Sequence, residues 1–81
     1  MKLDLKLFAR ARDLAGSERL RIELSENACV ADLRAALGRD VPMLRPLIPS
    51  LLIAVGSEYA NDLTPLRPGM EVACFPPVSG G

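Results

Sequence analysis

Two short runs alternate strictly between apolar and charged residues. In "KLDLKL", Leu3, Leu5 and Leu7 alternate with Lys2, Asp4 and Lys6; in "RLRIEL", Leu20, Ile22 and Leu24 alternate with Arg19, Arg21 and Glu23. A period of two sends successive side chains to opposite faces of a strand, so each run is a strand with one buried face. A sheet built from them must be covered by another layer. The 81 residues make one small domain. Such a chain buries roughly 60–65% of its extended surface, enough for one thin core.

The cover follows directly in the sequence. In "SENACVADLRAALGRD", Val30, Leu33, Ala36 and Leu37 fall on one stripe at helical spacing. Asp32 lies in the first turn, where a carboxylate suits the helix dipole. Gly38 is the expected C-terminal stop. Asn27 is an acceptable cap and Cys29 an unusual one. Between the two strands, "ARDLAGS" is long for a hairpin loop and has room for a helical turn. "VPMLRPLIPS" holds three prolines and reads as a crossover with a short helical turn. "LLIAV" reads as a buried strand and "GSEYAND" as a turn with a short edge strand around Tyr59. Pro68-Gly69 suits the centre of a type II turn, and "EVACF" is the last strand. The expected fold is α+β, with one helix covering one face of a mixed sheet.

Composition removes several functions. Ten basic and ten acidic residues balance, with no basic patch to suit nucleic acid. No apolar stretch is long enough to span a membrane. The first residues lack the unbroken apolar block of a signal peptide, and a cytoplasmic location is expected. The two cysteines, Cys29 and Cys74, are expected as reduced thiols, Cys74 as a small core residue. There is no histidine. That leaves no Ser-His-Asp triad, no Cys-His pair and no plausible zinc set. No metal or permanently bound cofactor is expected, and a stand-alone enzyme is disfavoured.

The end of the chain, "EVACFPPVSGG", has a different character. Pro76 and Pro77 prevent the last strand from continuing. Gly80 and Gly81 lack Cβ atoms and suit a narrow tunnel. Nothing from Val72 to Ser79 is charged, so enclosing the tail desolvates little beyond backbone, one hydroxyl and the terminus. The expected division is a folded domain over 1–75 and an extended, flexible tail over 76–81, which could reach at most ~20 Å. Such a tail is either slack or carries a working carboxylate at Gly81.

These features together resemble the ubiquitin-like sulfur carriers of β-grasp fold. Within that group, "EVACFPPVSGG", "LFARARDLAG", the "LIAV" segment and the turn "L-x-P-G-x-E-V" are similar to the small subunits of molybdopterin synthases. The resemblance implies that a ubiquitin-activating-like adenylyltransferase uses ATP to adenylate Gly81. A sulfur donor protein then converts the adenylate to a thiocarboxylate. It further implies a large catalytic subunit, two large with two small in a heterotetramer. There the thiocarboxylate gives its sulfur to a pyranopterin precursor, building the molybdopterin dithiolene of molybdenum cofactor biosynthesis. The chain would be the non-catalytic sulfur-donating subunit, with Gly80 and Gly81 as the reacting end and Pro76, Pro77, Val78 and Ser79 as the tail. A carrier for thiamine or another thiolated product, a ubiquitin-like protein modifier and a binding module with an inert tail are the rival readings. The chain departs from the family at Gly56, commonly Asn, at Met70, usually Asp, and at the helix cap, which the resemblance puts at Cys29 where the family often has Thr or Ser.

The three aromatic residues form the remaining expectation. Phe8 is out of phase with Leu3, Leu5 and Leu7, and Phe75 is out of phase with Val72 and Cys74. In a β-grasp sheet the first and last strands are parallel neighbours, which would bring Phe8 and Phe75 together beside the tail. The resemblance places Tyr59 on the same side. Phe8, Tyr59 and Phe75 are therefore the expected anchor patch for partner proteins.

Overall fold

The computed structural model describes residues 1–77. Its strands are β1 (Lys2–Leu7), β2 (Arg19–Glu23), β3 (Leu52–Val55), β4 (Glu58–Ala60) and β5 (Val72–Phe75). Helix α1 (Ala9–Ala15) joins β1 to β2, and α2 (Val30–Asp40) follows β2. The sheet order is β2-β1-β5-β3-β4. β1 pairs antiparallel with β2 and parallel with β5, and β3 pairs antiparallel with both β5 and β4. This is the mixed sheet covered by one helix that a β-grasp domain requires.

Alternation sets which face is covered. Leu3, Leu5 and Leu7 are each 1% exposed, and Val30, Leu33 and Leu37 of α2 are fully enclosed against them. Ile22, Leu51, Ile53, Val72 and Cys74 complete the layer from the other strands and the crossover, while Leu20 is only half-buried. No charged or polar side chain is buried among the described residues.

Three local expectations need correction. Gly38 does not stop α2, which runs on to Asp40. A Cβ there would stand 3.4 Å from Ile48 Cδ1 and 3.6 Å from Arg45 Cγ, so its role is close approach of the crossover. Arg45 Nε reinforces that approach by donating to the Gly38 carbonyl at 2.8 Å, and Pro42 follows directly after Val41.

Cys29, the unusual choice, is the N-cap. Asp32 Oδ2 accepts from the Cys29 backbone N–H at 2.9 Å and from its thiol at 3.4 Å. The backbone bond and then the thiol bond hold the Asp32 carboxyl below its usual range. The next two amides, of Val30 and Ala31, donate to the carbonyls of Thr64 and Asp62 at 3.0 Å each. A loop carbonyl can thus replace the hydroxyl that a serine or threonine cap would supply.

The segment after β1 is a seven-residue helix rather than a single turn. The third correction concerns "LLIAV", which is not buried throughout: Leu51 and Ile53 are 1% exposed, but Leu52 is 39% exposed. The other turns follow expectation. Gly69 has φ +84°, as the second centre position of a type II turn requires. Gly56 turns β3 into β4 at φ +64°, a conformation that the family's Asn also tolerates. At the third departure, the Met70 sulfur accepts from the Arg67 backbone N–H at 3.2 Å.

The crossover between α2 and β3 contains two short 3₁₀ turns, Pro42–Leu44 and Ile48–Ser50. Arg34 ties it down. Its Nη1 donates to the Ile48 carbonyl at 2.7 Å, and its Nε donates to Asp62 at 2.8 Å.

Candidate functional site

The face of the sheet opposite α2 has no covering layer among the described residues, and its upper end is aromatic. Register explains the cluster. Leu7 pairs with Cys74 across the parallel ladder, and the Phe8 N–H continues the ladder to the Cys74 carbonyl at 3.2 Å. Phe8 and Phe75 thus emerge side by side on the open face. Their rings stack at 4.6 Å between centroids, with 7° between planes. Leu52 pairs with Phe75 and Ala54 with Tyr59 across the antiparallel ladders. Tyr59 stands edge-on to Phe75 at 6.5 Å and 74°. Lys6 Nζ lies 5.3 Å from the Phe8 centroid, within cation–π range.

The structure therefore brings together Phe8, Tyr59 and Phe75. Phe8 and Phe75 are half-buried against each other, and Tyr59 is 73% exposed. Leu52 belongs to the same patch and was not among the expected residues. The signal for it was available: a strand that is apolar at successive positions has apolar side chains on both faces.

One backbone feature sets the edge of the patch. Phe8 is extended, and Ala9, the first residue of α1, has φ +52°. That left-handed residue turns the chain away from the sheet and leaves Phe8 as the last side chain on the open face.

β5 ends at Phe75, Pro76 is half-buried and Pro77 is exposed. Val78, Ser79, Gly80 and Gly81 lie outside the described residues. The tail is thus joined to the strand end that carries the aromatic patch. The buried thiol of Cys74 is no competing nucleophile, because burial pushes its pKa up to about 12 against the opposing pull of Arg34. No helix among the described residues is long and apolar enough to cross a membrane.

The ThiS family model matches residues 5–81. The chain belongs to the ThiS family. A relative, the molybdopterin synthase sulfur carrier subunit of Chlamydomonas reinhardtii, is 34% identical over 83 residues, covering all of both chains. The crystal structure of SAMP1 from Haloferax volcanii matches with a TM-score of 0.87 and 30% identity, again over all of both chains. A protein–protein complex of subunits 1 and 2 of molybdopterin-converting factor from Helicobacter pylori contains a chain that matches over its full length, with a TM-score of 0.71 and 26% identity. The ThiS-family fold thus carries the aromatic patch on its open face.

Proposed function

We propose that this chain is the sulfur-carrying small subunit of a molybdopterin synthase. Its Gly81 carboxylate is adenylated by an ATP-using activating enzyme; the terminal sulfur of a donor persulfide then displaces AMP, and a second thiol cleaves the resulting acyl disulfide, releasing the thiocarboxylate and forming a disulfide. The thiocarboxylate enters a large catalytic subunit and gives sulfur to a pyranopterin precursor. Adenylation answers a chemical need, since a free carboxylate is a poor electrophile and AMP is a good leaving group. The observation that carries this reading is the open Phe8–Phe75–Tyr59 patch at the strand end to which "PPVSGG" is joined. A partner gripping that patch holds the root of the tail at a fixed distance from its own active site. The full-length likeness to the Chlamydomonas subunit supports the substrate class, and the Helicobacter complex supports a large-subunit partner.

A second reading is favoured by the likeness to a Haloferax protein named a small archaeal modifier. There the same activated carboxyl would pass to an amine. Intact mass after incubation with ATP, activating enzyme and sulfur donor separates the two. One oxygen-for-sulfur exchange supports the carrier, and isopeptide adducts support the modifier.

Position at the terminus is the sharper test. Deleting Gly81, or adding a residue after it, should abolish sulfur transfer and leave the melting temperature unchanged. One residue moves the reacting atom by roughly 3.3–3.6 Å, and attack needs an approach within about 3–3.5 Å. Transfer at the wild-type rate by either variant would exclude a C-terminal acyl mechanism.

A further inference from the structure

The open face is divided. Below the aromatic patch, the row that crosses the sheet through Lys6 contains Ala73 of β5 and Ala54 of β3. Beside the small side chain of Ala73 lies an open trough of about 390 Å³, lined by Lys2, Asp4, Lys6, Arg19, Glu71 and Ala73 among others.

Its charges are arranged by the β1–β2 register. Lys2 faces Glu23, and Asp4 faces Arg21, which donates to it at 3.0 Å. Both are complementary cross-strand pairs. The third pair on this face, nearest the aromatic patch, is Lys6 opposite Arg19. Like charges directly opposite each other oppose strand pairing. Neither cation makes an ion pair among the described residues, although Glu71 lines the same trough. Lys6 lies over Phe8 instead. The pattern that stabilises the sheet is therefore broken at the one pair bordering the docking patch.

We propose that Lys6 and Arg19 determine specificity on the docking face, and that the large subunit meets them with a carboxylate-bearing side chain. This inference rests on the small-subunit reading above. The partner surface it describes has two parts: an apolar cluster for Phe8, Phe75 and Tyr59, and an acidic group beside it for the cationic pair. The aromatic part supplies most of the affinity. The cationic part steers encounter and rejects surfaces of the wrong charge. A carboxylate placed there also relieves the repulsion that the free protein carries.

The experiment uses the full chain and the intact large subunit from the same cells. Lys6→Glu and Arg19→Glu should each weaken binding about tenfold or more at low salt, mainly through association rate. Their binding should respond less to added salt than the wild type does. Lys2→Glu should change affinity far less. A carbodiimide, which condenses an amine with a carboxylate and leaves no spacer, should join Lys6 to an Asp or Glu of the large subunit. The melting temperature of free Lys6→Gln should be unchanged or higher, because a like-charge opposition is gone; a structural role for Lys6 would lower it.

If both reversals bind with wild-type affinity and salt dependence while Phe75→Ala still weakens binding, this inference fails and the docking reading stands. If Phe75→Ala also binds normally, both fail. Shifts of the Lys6 and Arg19 amides on adding inorganic phosphate alone, with no Lys6 cross-link to the large subunit, would assign the trough to a small anion and overturn the proposal.

Discussion

Both faces of the sheet carry large apolar side chains, yet only one is closed. On the covered face Leu3, Leu5 and Leu7 are each 1% exposed beneath α2; on the other, Leu52 is 39% and Tyr59 73% exposed. The difference lies in neighbours, not in residue type. Sequence neighbours divide between the two faces: Leu7 from Phe8, Cys74 from Phe75, Leu51 from Leu52. A contiguous apolar patch left open on a small domain marks a binding surface. One set of strands thus has one face that closes the core and one that stays open, the open one being the face we propose for recognition.

The largest effect that breaks the symmetry is on the covered side. Leu5→Ala removes a fully enclosed side chain from the middle of β1, and should destabilise the fold by roughly 2–5 kcal/mol. Chemical denaturation reads this directly. The fraction that remains folded should bind the large subunit with unchanged affinity. A Leu5→Ala protein that melts normally would mean that α2 does not close this face.

Phe75→Ala should show the reverse. As a buried anchor of the complex it should weaken large-subunit binding by about 2 kcal/mol or more, roughly 30-fold in Kd. Its stacking on Phe8 contributes to the free fold as well, so a small fall in melting temperature is expected. Calorimetric titration beside thermal melts gives both numbers. Unchanged affinity with a large loss of stability would return Phe75 to the core and move the interface elsewhere.

The division between faces was legible where the alternation was clean. "KLDLKL" and "RLRIEL" declare their faces because charges occupy every second position. "LLIAV" does not, since an unbroken apolar run conceals which residues face the helix. The aromatic cluster was legible only with topology added, because Phe8 and Phe75 are far apart in sequence and meet through the parallel β1–β5 ladder. Gly38 misled, and Cys29 is an unusual cap, for a common reason. Tertiary neighbours, Arg45 and Ile48 at one end of α2 and Asp62 and Thr64 at the other, decide where the helix stops and starts. Local preference for a glycine stop or a hydroxyl cap is weaker than those contacts.

Cys74 offers a smaller test of how dry the covered face is. Burial raises its pKa from 9.0 to about 12. Above pH about 9 the unfolded chain releases the thiol proton while the folded chain keeps it. Stability is therefore full below that pH and falls as pH rises toward 12, by up to about 1.4 kcal/mol per pH unit. Cys74→Ala should lack this component, and groups titrating alike in both proteins cancel in the comparison. Denaturation midpoints at pH 8 and pH 10 measure it. Equal pH slopes for the two proteins would mean that water reaches the thiol.

The smallest expected effect lies at the boundary between the faces. Leu7 points into the core, Phe8 stands on the open face, and Ala9 turns the chain into α1 with φ +52°. A left-handed residue with a Cβ is strained by roughly 1–2 kcal/mol. Nothing in the sequence marks this position, because alanine is an unfavourable choice there. Ala9→Gly removes the strain but gives the unfolded chain more freedom, which offsets roughly 0.5–1 kcal/mol of the gain. The net change should be a stabilisation of up to about 1 kcal/mol, raising the melting temperature by a few degrees. Large-subunit affinity should stay within about twofold of wild type, since the Phe8–Phe75 stack is held by the backbone bond from Phe8 to Cys74 as well as by the turn. A fall in melting temperature would show that the alanine methyl packs favourably in the turn. A stabilised protein with much weaker binding would show that strain at Ala9 aims Phe8, making this boundary residue part of the recognition surface.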